Sequence, residues 1–177
     1  MKQKIINGIL YSAVGSFWWG IIGVLYFKYV SFVGHIELVI HRTIWTAFIL
    51  IFTTTYLSKW NIVLSIVKDF KKLSILFLTG LLIFTNWGLW IYAVVTNRLI
   101  DASFGYYIFP ILSVFFGIVF LKEPKNKNKI ISILLVFLAV IILLFNFESL
   151  PWIGLSVAFT WSFYNLIRKK INIPADI

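Results

Sequence analysis

The chain has 177 residues, of which 61% are hydrophobic and 12% are charged, and it carries a formal net charge of +10 at pH 7. Its mean hydropathy of +0.97 lies above the range of soluble domains, which excludes an ordinary water-soluble enzyme or binding module. No basic helix with interleaved aromatic residues lies outside the apolar segments, so we expect no nucleic-acid partner.

Six apolar segments divide the chain, and each has close to the ~20 residues that a helix needs to cross a bilayer. They lie at about 5–27, 38–57, 73–95, 102–121, 130–147 and 151–167. Because lipid offers the backbone no hydrogen-bond partners, segments of this length should be helices. The predicted fold class is therefore all-α, a polytopic transmembrane bundle of about six spans that lies in the lipid bilayer.

The connections between these segments differ in basic charge. Thirteen of the 16 Lys and Arg residues fall on one side: Lys2, Lys4, Lys59, Lys68, Lys71, Lys72, Lys122, Lys125, Lys127, Lys129, Arg168, Lys169 and Lys170. The other side holds Lys28 and Arg98, and Arg42 lies inside the second segment. By the positive-inside rule, the N-terminus is predicted to be cytoplasmic.

The first segment carries two tryptophans deep in its span. Trp18 and Trp19 lie about fourteen residues into the helix, or roughly 20 Å along it, which is past the midplane. They either anchor the helix at an interface or line a cavity. A stripe of small residues at every fourth position predicts close approach of a neighbouring helix: Gly8, Ser12, Ser16 and Gly20.

The second segment contains the charged stretch ELVIHRTIW, residues 37–45. Arg42 lies about five residues, or ~7 Å, deeper than Glu37. One interpretation is that Arg42 snorkels outward to Glu37, Asp101 or a lipid phosphate. The other is that it attracts a substrate carboxylate or phosphate. Glu37 and His41 are four residues apart on one face, so the carboxylate would favour a protonated imidazole and make His41 a carrier of coupled protons.

The next two segments each contain one feature typical of transporters. Asn86 lies in the outward half of the third span, where it either bonds another helix or contacts a substrate. Pro110, in the fourth span, removes one backbone hydrogen bond and predicts a kink near Tyr106. Such a kink either frames a transport site or is packed as a structural bend. Residues 59–72 predict a short helix on the cytoplasmic surface.

These features converge at similar depth in the outward half of the bundle. The predicted substrate site consists of Trp18, Trp19, His41, Arg42, Asn86, Tyr106 and Tyr107. Its rings would hold a flat or apolar body, and Arg42 would hold an anionic group. The chain has no cysteine, and His41 has no nucleophile or metal cluster beside it. We therefore predict no metal, no cofactor and no enzymatic activity.

At this point the sequence resembles a known family. ELVIHRTIW is similar to the E-x-x-x-H-R-x-x-W segment of RarD-type proteins of the EamA, or drug/metabolite transporter, superfamily. FWWGIIGVLYFK resembles their first helix, and NWGLWIYAVVTNRLIDASFGYYIFPILSVFFGIVFLKE resembles their third and fourth. The chain departs from the family pattern at Gly23, Phe109 and Pro124, where Pro, a polar residue and a basic residue are expected. The resemblance covers nearly the whole chain.

The resemblance implies ten helices in two inverted five-helix halves and a place in the bacterial inner membrane. Residues 1–147 would then be the first repeat, and 148–177 the first helix of a truncated second repeat. The implied function is transport of small metabolites or amphipathic drugs by alternating access, with a link to chloramphenicol sensitivity or resistance. The alternative is a structural or assembly subunit. A fragment of this kind would be inactive alone, or would need a second copy or the missing half.

Overall fold

The computed structural model describes residues 2–124, 126–145 and 150–171. These residues form eight α-helices and one π-helical turn and contain no strand. In chain order they are α1 (Lys2–Phe17), the π-helical turn (Trp18–Gly23), α2 (Val24–Tyr29), α3 (His35–Tyr56), α4 (Trp60–Lys68), α5 (Phe70–Val95), α6 (Leu99–Phe120), α7 (Lys127–Leu144) and α8 (Trp152–Lys170). The prediction of an all-α membrane bundle is confirmed.

All six predicted spans coincide with helices. Four are long and apolar enough to cross a bilayer: Ile5–Tyr29, which joins α1, the π-helical turn and α2, together with α3, α5 and α6. The apolar part of α7, Ile130–Leu144, is shorter, and α8 ends in three basic residues. Residues 146–149 lie outside the described part of the chain. The predicted surface helix in residues 59–72 corresponds to α4.

Helix α8 packs against both α5 and α6. Two glycines permit this close packing, because a Cβ on Gly105 would overlap the carbonyl of Gly154, and one on Gly154 would overlap the carbonyl of Asp101. The contact completely buries Ile153 and Ala158 of α8. Backbone therefore lies directly on backbone where α6 and α8 cross, and this fixes the depth of α8 relative to α6.

The N-terminus of α8 is capped by a side chain from α6. Its own N-cap residue, Pro151, makes no side-chain cap. Instead, the Oδ1 atom of Asp101 accepts a hydrogen bond from the backbone N–H of Gly154 at 2.9 Å, and Oδ2 accepts one from Arg98 at 2.8 Å. A carboxylate at a helix N-terminus also interacts favourably with the helix dipole. Asp101 thus joins the start of α6 to the start of α8.

Asp101→Ala should lower the free energy of unfolding by about 2–3 kcal/mol, because it leaves the buried Gly154 N–H without an acceptor and Arg98 without its partner. Asp69→Ala is the matched control, since Asp69 caps α5 through the Lys72 N–H from a half-buried position, with its side chain 38% exposed. That hydrogen bond and the Lys72 side chain lower the pKa of Asp69. Denaturant titration in detergent measures both variants, and equal losses would contradict a buried cap.

The small-residue stripe of the first segment and the bend at Pro110 are both predicted features of helix packing. The small-residue stripe of α1 contacts no other helix in the described residues, because a Cβ at Gly8 or Gly20 would meet nothing within 4 Å. Pro110 lies inside α6, which is helical on both sides of it. The bend at Pro110 stays a prediction.

Candidate functional site

A cavity of about 330 Å³ lies among the π-helical turn, α3, α5, α6 and α8. Four tryptophans, one tyrosine, one asparagine and one arginine form its wall. We call this set the tryptophan cage: Trp19, Arg42, Asn86, Trp87, Trp90, Tyr106 and Trp161. A cavity of this size that is mostly apolar and has a few polar groups is typical of small-molecule sites.

Trp19, in the π-helical turn, faces the cage, whereas its neighbour Trp18 does not. The turn spans WWGIIG, and a wider turn of this kind is frequent at functional sites. The Trp19 ring lies beside Gly23, at 3.5 Å from the position that a Cβ there would occupy, which is ordinary van der Waals contact. The ring centroid lies 4.9 Å from that of Trp90 and 5.8 Å from that of Trp87. Trp18, in contrast, is 63% exposed.

Arg42 is the charged residue of the cage. Its guanidinium lies directly over the Trp87 ring and 4.9 Å from the Trp19 centroid. Cation–π contacts with desolvated rings contribute about 2 kcal/mol, which helps offset the cost of placing this charge at depth. The rings are electrically neutral, however, so they leave the positive charge uncompensated.

The four carboxylates that the structure describes are paired with other side chains. These pairs are Glu37 with His41, Asp69 with Lys72, Asp101 with Arg98, and Glu123 with Lys169. Arg42 is therefore not paired with Glu37 or Asp101, two of the three partners that the snorkelling interpretation offered, and pairing with a lipid phosphate stays a prediction. Within the described residues its guanidinium has rings beneath it and no anion beside it.

Asn86 links α5 to α8 and also borders the cage. Its amide nitrogen donates to the Val157 carbonyl and to the Thr160 Oγ1 atom, both at 2.9 Å. Thr160 uses its own proton to bond the Ser156 carbonyl, so its oxygen can only accept from Asn86. This fixes the orientation of the amide and leaves the Asn86 carbonyl oxygen as an acceptor for a ligand.

The cage includes four of the seven predicted site residues: Trp19, Arg42, Asn86 and Tyr106. The structure does not bring the other three to it. Tyr107 is 57% exposed and borders a groove beside α7, and Trp18 points away from the cavity wall. His41 lies 3.7 Å from Glu37, and both side chains are largely exposed.

The sequence prediction missed three cage residues, Trp87, Trp90 and Trp161. The first two could have been found, because residues 86, 87 and 90 share one face of a helix at i, i+1 and i+4 spacing. Trp161 could not, since it lies on the helix assigned to a separate repeat. No group of three metal-ligating side chains occurs in the described part of the chain.

Comparison with known proteins relates the chain to one family of transporters. Residues 6–145 match the model of the EamA-like transporter family. The chain is 35% identical over 170 residues to "Protein RarD" of Salmonella typhi, which covers 96% of this chain and 58% of that protein. It is 33% identical to "Protein RarD" of Escherichia coli K12 over 96% of this chain and 57% of that protein.

A third relative is an "Uncharacterized transporter YojE" of Bacillus subtilis, with 34% identity over 97% of this chain and 58% of that protein. No solved structure matches the chain. The chain thus spans less than two thirds of the length of these curated relatives.

Proposed function

Because the chain belongs to the EamA-like transporter family, we propose that it carries small organic anions with a flat ring across a bacterial inner membrane by alternating access. The observation that supports this substrate class is the uncompensated guanidinium of Arg42 on the tryptophan rings of the cage. An arginine binds a carboxylate or phosphate through two parallel hydrogen bonds, while the rings stack on an aromatic body. This chemistry favours an anion over a neutral drug such as chloramphenicol.

We propose that the N-terminus is cytoplasmic, which places the cage in the outward half of the membrane. The uneven distribution of Lys and Arg between the two sides supports this orientation. The relatives extend well beyond the matched region. A complete transport path would then need a second wall, contributed by further helices or by a second copy of the chain.

Uptake into proteoliposomes tests this proposal. The probe is radiolabelled benzenesulfonate, which is ionised at every working pH and therefore leaks slowly through lipid. We expect uptake above that of protein-free vesicles and little uptake of the neutral benzenesulfonamide. Phe52→Ala, a change at a 70% exposed position outside the cage, should leave uptake unchanged. Uptake equal to that of empty vesicles would contradict transport of this class.

The Glu37–His41 pair lies outside the cage, and proton coupling through it remains a separate hypothesis. In the same vesicles, a pH gradient should accelerate uptake by the parent protein and have no effect on His41→Ala. A gradient that affects both proteins equally would rule His41 out as the proton carrier.

A structural or assembly subunit is the second candidate. The observation in its favour is that the Asn86 amide is used to bond α8, so at least one intramembrane polar group holds helices together. The uptake measurement separates the two candidates, since a structural subunit would show no flux of either probe.

A further inference from the structure

A second cavity, of about 340 Å³, lies between α6 and α8 toward their other ends. Its wall includes Phe109, Ser113, Glu123, Ser162, Asn165 and Lys169. It shares no residue with the tryptophan cage, and its lining is more polar. The cage occupies the half of α6 and α8 near Trp152, whereas the second cavity extends toward the basic end of α8.

Ser162 places an unpaired hydroxyl in the wall of this second cavity. The residue is 1% exposed, and its hydroxyl has no hydrogen-bond partner among the described residues. A buried hydroxyl without a partner is unfavourable, and such groups in proteins normally bond ordered water or a ligand. Asn165 donates its amide N–H to the Trp161 carbonyl at 2.8 Å, so its side-chain oxygen is also available to accept.

Two aromatic rings lie where the cavities approach each other. Trp161 belongs to the cage wall, and the next residue, Ser162, belongs to the wall of the second cavity. The Phe109 ring contacts Trp161 edge to face, with 6.4 Å between centroids, and faces the second cavity. Tyr164 also stacks on Trp161, with 5.6 Å between ring centroids.

We propose that the Phe109–Trp161 ring pair is the barrier between two water-accessible parts of one path. A substrate leaving the cage would enter the second cavity only when these rings separate, and the hydroxyl of Ser162 would then donate a hydrogen bond to its anionic group in place of a lost water. The inference rests on the proposed transport function. Its test needs no substrate, so a failure of the barrier and a failure of transport can be distinguished.

Cysteine accessibility tests the barrier directly, because the natural chain has no cysteine. Ser113→Cys, at a half-buried position in the wall of the second cavity, replaces one oxygen by sulfur and places a single thiol there. A membrane-impermeant methanethiosulfonate is applied to right-side-out and inverted vesicles. We expect labelling from the face that carries Lys169 to be at least about tenfold faster than labelling from the face that carries Trp152. The reason is that the ring pair blocks the route that leads from the Trp152 face through the cage.

Adding Phe109→Ala should remove most of that difference by speeding the reaction from the Trp152 face. Phe115→Ala is the matched control, since Phe115 is on the same helix and 56% exposed; it should preserve the difference. If Phe109→Ala loses the circular dichroism signal of its helices, Phe109→Leu is used in its place. Any of three results would overturn the proposal: equal labelling rates from both faces in the single-cysteine protein, no labelling from either face, or no change in the labelling rates when the Phe109 ring is removed.

Discussion

Gly154→Val is expected to lower the free energy of unfolding by about 3 kcal/mol or more, because the new side chain would have to displace the backbone of α6. A Cβ at this position overlaps the Asp101 carbonyl and lies 3.0 Å from the Gly105 nitrogen, so no flexible side chain can move aside to accept it. Denaturant titration in detergent, followed by tryptophan fluorescence, measures the loss.

Gly80→Val is the control for the substitution itself. Gly80 lies inside α5, and a Cβ there meets nothing within 4 Å. The same glycine-to-valine change should therefore cause no comparable loss, since valine is intrinsically no worse than glycine in a helix. If both variants are destabilised equally, the contact between α6 and α8 is not what holds α8 in place.

Arg42→Gln is expected to weaken binding of an aromatic carboxylate by about 30-fold, since a hydrogen bond to a charged group contributes about 2 kcal/mol. Arg42→Lys should retain part of the affinity, because lysine keeps the charge but cannot form two parallel bonds or stack on the rings. Titration of purified protein with benzoate, followed by quenching of the cage tryptophans, measures both. Lys28→Gln removes an exposed cation outside the cage and should leave the affinity unchanged.

The fold could be predicted largely from composition. Length and apolarity identify helices in all six segments, because a backbone in lipid must satisfy its hydrogen bonds within each segment. Composition could not show that α8 packs closely against α6. That contact depends on Gly105 and Gly154 meeting across 49 residues of sequence, and nothing local to either glycine identifies the other as its partner.

The candidate site could be predicted only in part, and the reason is geometric. Residue count along each span predicts similar depth for Trp19, Arg42, Asn86 and Tyr106, and these four residues line one cavity. Residue count does not give the direction in which a side chain faces. Adjacent residues point about 100° apart around an α-helix, so Trp18 and Tyr107 do not reach the cage although Trp19 and Tyr106 do.

The central claim is that the cage selects an anion through Arg42. The most direct test is to titrate the unmodified protein with benzoate and with benzamide, two ligands of nearly the same shape that differ in charge. We predict that benzoate binds at least about tenfold more tightly, and that Arg42→Gln abolishes this preference. Equal affinities, or a preference for benzamide, would contradict the claim.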